Sequence, residues 1–192
     1  MTLPHEIAIA GPAAAFAGML RAELPEIETA RLRLRAPRIE DFQAYAEIAT
    51  GSAGRFLMDQ PSREAAWFDF AQMVAAWLLR GHGLWSVETL ADDALVGFVM
   101  LGFEPRDHEP ELGYMFLSAA EGRGYATEAA AAAKSHGLET LAMPTLVSTI
   151  DPDNAPSIRL AERLGATRDA TAEAAHGDEI HVYRHQIRGQ AA

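Results

Sequence analysis

The stretch between Tyr114 and Ala130 restricts what this chain can fold into more than any other. An apolar pattern suited to a strand, Tyr114 to Ser118, ends in the small-residue turn Gly122-Arg123-Gly124 and opens directly into an alanine-rich helix. Gly122 and Gly124 lack a Cβ and Ala126 carries only a methyl, so the amides of the first helical turn can converge on one anion. The helix start adds a partial positive charge of roughly half an elementary unit. A phosphate-bearing ligand is the reading that follows, with an ordinary tight connection as the plain alternative. Neither the three-glycine dinucleotide fingerprint nor Gly-Lys-Ser/Thr is present. Ala126 and Thr127 follow the turn, and the only lysine in the chain is Lys134.

A length of 192 residues with 49% apolar content encloses one sizeable core, which favours a single domain. Cysteine is absent, so disulfides, thiolate metal sites and a protein thiol nucleophile are excluded, and a cytoplasmic setting is expected. A net charge of -11 argues against a nucleic-acid backbone partner and mildly favours cationic or amine substrates. Residues 1–28 read as an N-terminal extension. Its apolar run lacks the preceding basic residues of a signal peptide and is too short to span a membrane, which leaves a short helix over 12–23 packing on the body.

Alternation over Thr29 to Arg35 predicts a half-buried strand with Leu32 and Leu34 inward and the arginines outward. A helix follows over 39–49, with Asp41 in its first turn. A second helix, capped by Ser62, carries a stripe of Trp67, Phe70, Ala71, Val74, Trp77 and Leu78 up to Arg80-Gly81, and core packing is the reading for its tryptophans. Strands over 84–90 and 94–103 form an antiparallel hairpin, and 111–117 is the next strand. The central helix, 124 to about 140, connects it to a strand over 145–150. That is a βαβ crossover, so these two strands run parallel. A helix over 157–164, closed by Gly165, and an antiparallel pair over 167–171 and 179–187 complete the chain.

The turn Glu121-Gly-Arg-Gly-Tyr-Ala126 resembles the Gln/Arg-x-x-Gly-x-Gly/Ala loop of the GNAT superfamily of N-acetyltransferases, departing from it at Glu121. Asn154 to Gly165 is similar to the superfamily's Asn-x-x-Ser segment ending in Glu-x-x-Gly, and the order of elements over 29–188 matches its fold. Glu28 to Arg35 and Glu111 to Tyr114 look most like the RimJ/RimL branch of ribosomal-protein N-terminal acetyltransferases, which does not fix the acceptor.

The resemblance implies an α/β (α+β) fold: a mixed, mostly antiparallel sheet with one central parallel pair splayed for coenzyme A, flanked by helices. Acetyl-CoA is the implied cosubstrate, with no metal. The amides of Gly122, Arg123, Gly124, Tyr125, Ala126 and Thr127 would hold its pyrophosphate, Phe116 and Leu117 would pair with the pantetheine, and Asn154 and Ser157 would contact the arm or its sulfur. Asn154 reads equally well as a helix cap. Acetyl transfer to an amine requires removal of one proton and donation of another to the leaving thiolate. Glu111 is the base candidate, against the plain reading of a solvated strand-edge glutamate. Where many relatives carry a tyrosine acid this chain has Ala161, leaving Ser157 as the nearest hydroxyl and Tyr183 as a distant second. His181 and His185 lie four apart on one face of a predicted strand, but without a third ligand no metal site is assigned.

The expected activity is N-acetylation of a peptide or protein N-terminus or a small-molecule amine, by direct attack in a ternary complex. The alternatives are a GNAT-like module that binds acyl-CoA without turnover and, nearly excluded, a nucleotide-binding domain. The expected partners are acetyl-CoA and the amine, with a homodimer left open and neither nucleic acid nor membrane. The loops 50–61 and 172–178 are expected to select the acceptor.

Overall fold

In a computed structural model, residues 2–58, 60–105, 107–176 and 180–186 are described. Of the strand expected over 29–35 only β2 (Leu32–Arg35) forms; a tight turn in which Thr29 N donates to Leu32 O at 2.9 Å joins it to β1 (Ile27–Glu28), which lies ahead of the expected bounds. After a 3-10 turn over Ile39–Asp41 come α2 (Phe42–Thr50) and α3 (Arg63–Arg80). Ser62 caps α3 as expected, accepting from Ala65 N at 3.1 Å, and Gly81 closes it in the left-handed region. The meander β3 (Leu84–Thr89), β4 (Leu95–Gly102) and β5 (Glu111–Phe116) leads into α4 (Tyr125–Ser135), which ends in a π turn over His136–Thr140. Then follow β6 (Val147–Ile150), α5 (Ala155–Arg163), β7 (Thr167–Arg168), α6 (Ala170–His176) and β8 (His181–Arg184).

The strands form one sheet in the order β1-β2-β3-β4-β5-β6-β8-β7, and among the described residues only β5 and β6 pair in parallel. The expected crossover is therefore present, with α4 as its helix. Ala129, Ala130 and Ala133 on α4 are fully buried against Leu32, Leu34, Val99 and Leu101 on one face of the sheet. Their small side chains let the helix approach closely. On the other face α2 and α3 pack Phe42, Tyr45, Phe70 and Met73 against Leu84 and Phe98.

Several expectations change for physical reasons. Arg35 does not face water: it is buried beneath α2, with Nη1 2.7 Å from Asp41 Oδ2 and Nη2 2.5 Å from Glu88 Oε1. Burial alone raises the Asp41 carboxyl, but hydrogen bonds from Arg35, Arg38 N and Ser86 outweigh it and hold the group below the usual carboxylate range. The buried face of α3 is Ala66, Phe70, Met73 and Trp77, whereas Leu78 and Leu79 are 75% and 80% exposed. Trp77 is core, its Nε1 donating to Leu84 O at 2.8 Å. Helix α1 (Pro12–Ala22) forms but buries no residue. Other parts of the N-terminal segment attach it: Glu6 receives Arg63 Nε at 2.7 Å, and Pro25 O receives Trp85 Nε1 at 2.8 Å. Most of the expected 172–178 loop is helix α6, begun by Asp169 Oδ1 accepting from Ala172 N at 3.0 Å, and residues 177 and 178 lie outside the described ones.

Candidate active site

The site is built where the sheet opens. Beyond the single parallel pairing Glu111↔Val147, with Val147 N donating to Pro110 O at 3.0 Å, β5 and β6 no longer share a ladder. Two side chains occupy the start of the gap. Ser148 Oγ donates to Leu112 O at 2.7 Å, and Glu111 Oε1 accepts from Thr149 N at 2.9 Å. Backbone direction alternates along β5. Pro110 and Leu112 turn their carbonyls toward β6, so Tyr114 and Phe116 turn their backbone groups into the gap. Leu117, expected to do the same, does not: its N–H reaches Val96 O at 3.0 Å and its carbonyl accepts from Ala120 N at 2.8 Å.

A cavity of about 340 Å³ adjoins the gap, with Glu111, Tyr114, Ser148, Asn154 and Ser157 among its walls. Burial pushes the Glu111 carboxyl up to about 8; the amide of Thr149 opposes the shift, and the charges of Asp107 and Glu104 add to it. Glu111 is therefore no solvated edge glutamate. It is half-buried on the cavity wall, and its carboxyl is held protonated through neutral pH. Asn154 is the N-cap of α5, its Oδ1 accepting from Ser157 N at 3.3 Å.

The residue the sequence reading missed is Tyr114. Its hydroxyl lies in the same cavity and donates to Ser157 O at 3.0 Å. Burial first, then the charge of Glu111, raises its phenol above the ordinary range, so it stays protonated. Ala161 is fully buried in a small cluster with Ile150 and Tyr183. Tyr183 is correspondingly committed to the core at β8, and it does not line the cavity among the described residues. His185 Nε2 is 2.9 Å from Ser148 Oγ, and burial lowers the ring pKa to about 4, so it is neutral. No group of three or more residues able to hold a metal occurs among the described residues.

At the head of α4, Gly122 and Gly124 have φ of 73° and 78°, which L side chains rarely adopt. The first helical amide with a helical acceptor is Glu128 N, bonded to Gly124 O at 3.2 Å, leaving those of Tyr125, Ala126 and Thr127 to face outward from the helix start. Arg31, from the β1–β2 turn, holds this loop. Its Nη1 donates to Arg123 O at 3.0 Å, its Nε to Glu128 Oε2 at 2.7 Å, and its guanidinium lies 4.9 Å from the centroid of the Tyr125 ring. Glu128 Oε1 in turn accepts from Thr29 Oγ1 at 2.6 Å. Arg163 Nη1 reaches Thr127 Oγ1 at 3.3 Å. Glu121 is exposed beside this loop.

Residues 31–167 match the family model described as acetyltransferase (GNAT) domain. The crystal structure of an acetyltransferase from Agrobacterium tumefaciens strain C58 is 34% identical, with a TM-score of 0.80 over 86% of this chain and 96% of that one. The uncharacterized N-acetyltransferase YnaD of Bacillus subtilis is 30% identical over 78 residues, 41% of this chain and 46% of YnaD. The match thus spans about half of that curated relative. RimL, a ribosomal L7/L12 alpha-N-protein acetyltransferase solved with coenzyme A, shares the fold at a TM-score of 0.67 and 19% identity, over 86% of this chain and all of that one.

Proposed function

The chain belongs to the GNAT acetyltransferase domain family, and from that premise we propose that it moves the acetyl group of acetyl-CoA to a primary amine by direct attack in a ternary complex. The single observation that carries this reading is the gap beyond Glu111↔Val147, with its carboxyl-lined cavity on the same β5 that leads into the Gly122–Gly124 loop. The residues present fit the ligand. The left-handed glycines and outward amides of α4 suit a pyrophosphate, and the amides and carbonyls of Tyr114 and Phe116 suit an extended pantetheine added like a strand.

Acetyl-CoA supplies a thioester, whose acyl carbon becomes bonded to the amine nitrogen as thiol is released. Glu111, in its ionised form, accepts the proton lost by the ammonium, so turnover rises as the pH approaches about 8. The Phe116 amide, turned into the gap, holds the carbonyl oxygen as charge develops on it. Tyr114 donates the proton that the leaving sulfur takes up, in place of the tyrosine absent at Ala161, while Asn154 and Ser157 shape the start of α5 beside it. The similarity to RimL is a likeness of fold. It supports a peptide N-terminus as one acceptor class, with a small amine as the other.

Thermal-shift titration checks the cosubstrate. Acetyl-CoA at about a hundred times its Kd stabilises the folded state by about 2.7 kcal/mol, whereas ATP and NAD leave the melting temperature unmoved. Thiol release on adding an amine then separates turnover from mere binding. Stabilisation by the nucleotides alone would sink the proposal.

A further inference from the structure

The two middle strands of the sheet, β4 and β5, leave part of their α2–α3 face uncovered. Leu84, Phe98 and Met73 close that face at 2%, 0% and 3% exposure, whereas Met100, Gly113 and Met115 are only half-buried. These three are neighbours across the ladder, for Met100 pairs with Gly113 and Phe98 with Met115. Gly113 has no side chain of its own, and Met100 lies over it: a Cβ at Gly113 would stand 2.6 Å from Met100 Cε and 3.0 Å from its Cγ. A sheet face this apolar is ordinarily shut against another element.

This bare floor belongs to the cavity that holds Glu111. Alternate residues share one face of a strand about 7 Å apart, so Glu111, Gly113 and Met115 stand in one row. Met100 lies one strand further in, about 4.8 Å from β5, and so away from the β5–β6 gap that suits the pantetheine. Phe56, Leu57 and Met73 add apolar wall, Leu57 with 41% of its surface exposed. Methionine is unbranched and polarisable, and it moulds to apolar groups of different outline. Asp69, Glu104 and Asp107 also line the cavity; they bear on the acceptor's charge, not on what covers the methionines.

We infer that the acceptor amine carries a compact apolar side chain, that of a leucine-like amino acid, which seats on Met100, Gly113 and Met115 while the amine meets Glu111. This rests on the transferase reading for the cavity's role as acceptor site. An amino group and its own side chain span the short distance from Glu111 to Gly113, and the floor is shut from water when the acceptor is bound. About 340 Å³ is at the small end of ligand pockets, which run from about 300 to 1,000 Å³, and suits one residue more than a long chain. Met100 and Gly113 set the specificity: the first supplies the surface, the second the room for it.

The test compares kcat/KM for leucinamide, its polar isostere asparaginamide, and glycinamide with saturating acetyl-CoA. Leucinamide is expected to exceed both by about tenfold to a hundredfold, the scale of fully burying a leucine side chain. Met100→Gln keeps the length and brings in an amide, so it narrows the leucine-to-glycine ratio, and Met100→Leu restores it. Gly113→Ala narrows the ratio by lifting the Met100 thioether into the recess. A retained melting shift with acetyl-CoA shows that each variant is folded. The same ratio on Leu-Gly-Gly amide and Gly-Gly-Gly amide tells whether the residue arrives free or at the head of a peptide, and a preference in either pair supports the inference. Equal rates in both pairs, or asparaginamide level with leucinamide, overturn it and leave the transferase intact. If no amine is acetylated, calorimetry of leucinamide and glycinamide against the coenzyme A complex decides: tighter binding of leucinamide retains the apolar seat while the transferase reading falls, and equal or no binding overturns both.

Discussion

At the residue scale the proton donor is the open choice, and two hydroxyls compete for it. Tyr114 keeps its proton through neutral pH and Ser157 faces the same cavity. With Tyr114 as donor, Tyr114→Phe lowers kcat by about 10² to 10⁴, while Ser157→Ala raises the KM for acetyl-CoA and spares kcat. Steady-state kinetics showing the opposite split moves the donor to Ser157. Local pattern made Glu111 legible as a strand residue beside the crossover. Its accepting contact from Thr149 and the Tyr114–Ser157 bond join residues 38 and 43 positions apart, and no periodicity reports such a distance. Arg35 was misread for the same reason: alternation describes a strand with one wet face, and Glu88 lies far along the chain.

At the scale of elements the Gly122–Gly124 turn was readable because its requirements are local. Positive φ and a helix start are written in adjacent residues. The Arg31 clasp was not, because it brings the β1–β2 turn to a loop 92 residues away. Arg31→Met keeps most of the side-chain length and removes the charged hydrogen bonds to Arg123 O and Glu128, so the Kd for acetyl-CoA in calorimetry rises by roughly tenfold with the fold retained. An unchanged Kd would mean that the loop holds its shape unaided. The stripe on α3 holds at Phe70 and Trp77, with Trp67 and Val74 packed against the Phe70 core, and fails at Leu78, because Phe68, Leu78 and Leu79 put apolar residues around the whole helix. Helix α6 is not legible in the sequence because seven residues carry too little period to distinguish them from a loop.

For the whole molecule, stability is pressed from both sides of neutral pH. The native Glu111 holds its proton to about pH 8, whereas the unfolded chain releases it near 4.5. That stability is full below pH 4.5 and is lost as pH rises through 8, and Glu104, at about 7, acts in the same direction. Buried His185 works oppositely: its stability is full above about 6.5 and is lost as pH falls through 4. Glu111→Gln removes one alkaline contribution, so the melting temperature of the variant gains on wild type from pH 5 to pH 8 and then levels off. Parallel curves would show that this carboxyl ionises as it does in the unfolded chain. The opening between β5 and β6 also gives this sheet two bare borders in its interior, and bare borders invite strands from other chains and hence aggregation. The start of both borders is covered by polar groups, Glu111 Oε1 accepting from Thr149 N on β6 and Ser148 Oγ donating to Leu112 O on β5, so an apolar strand pairing there would leave those groups unbonded.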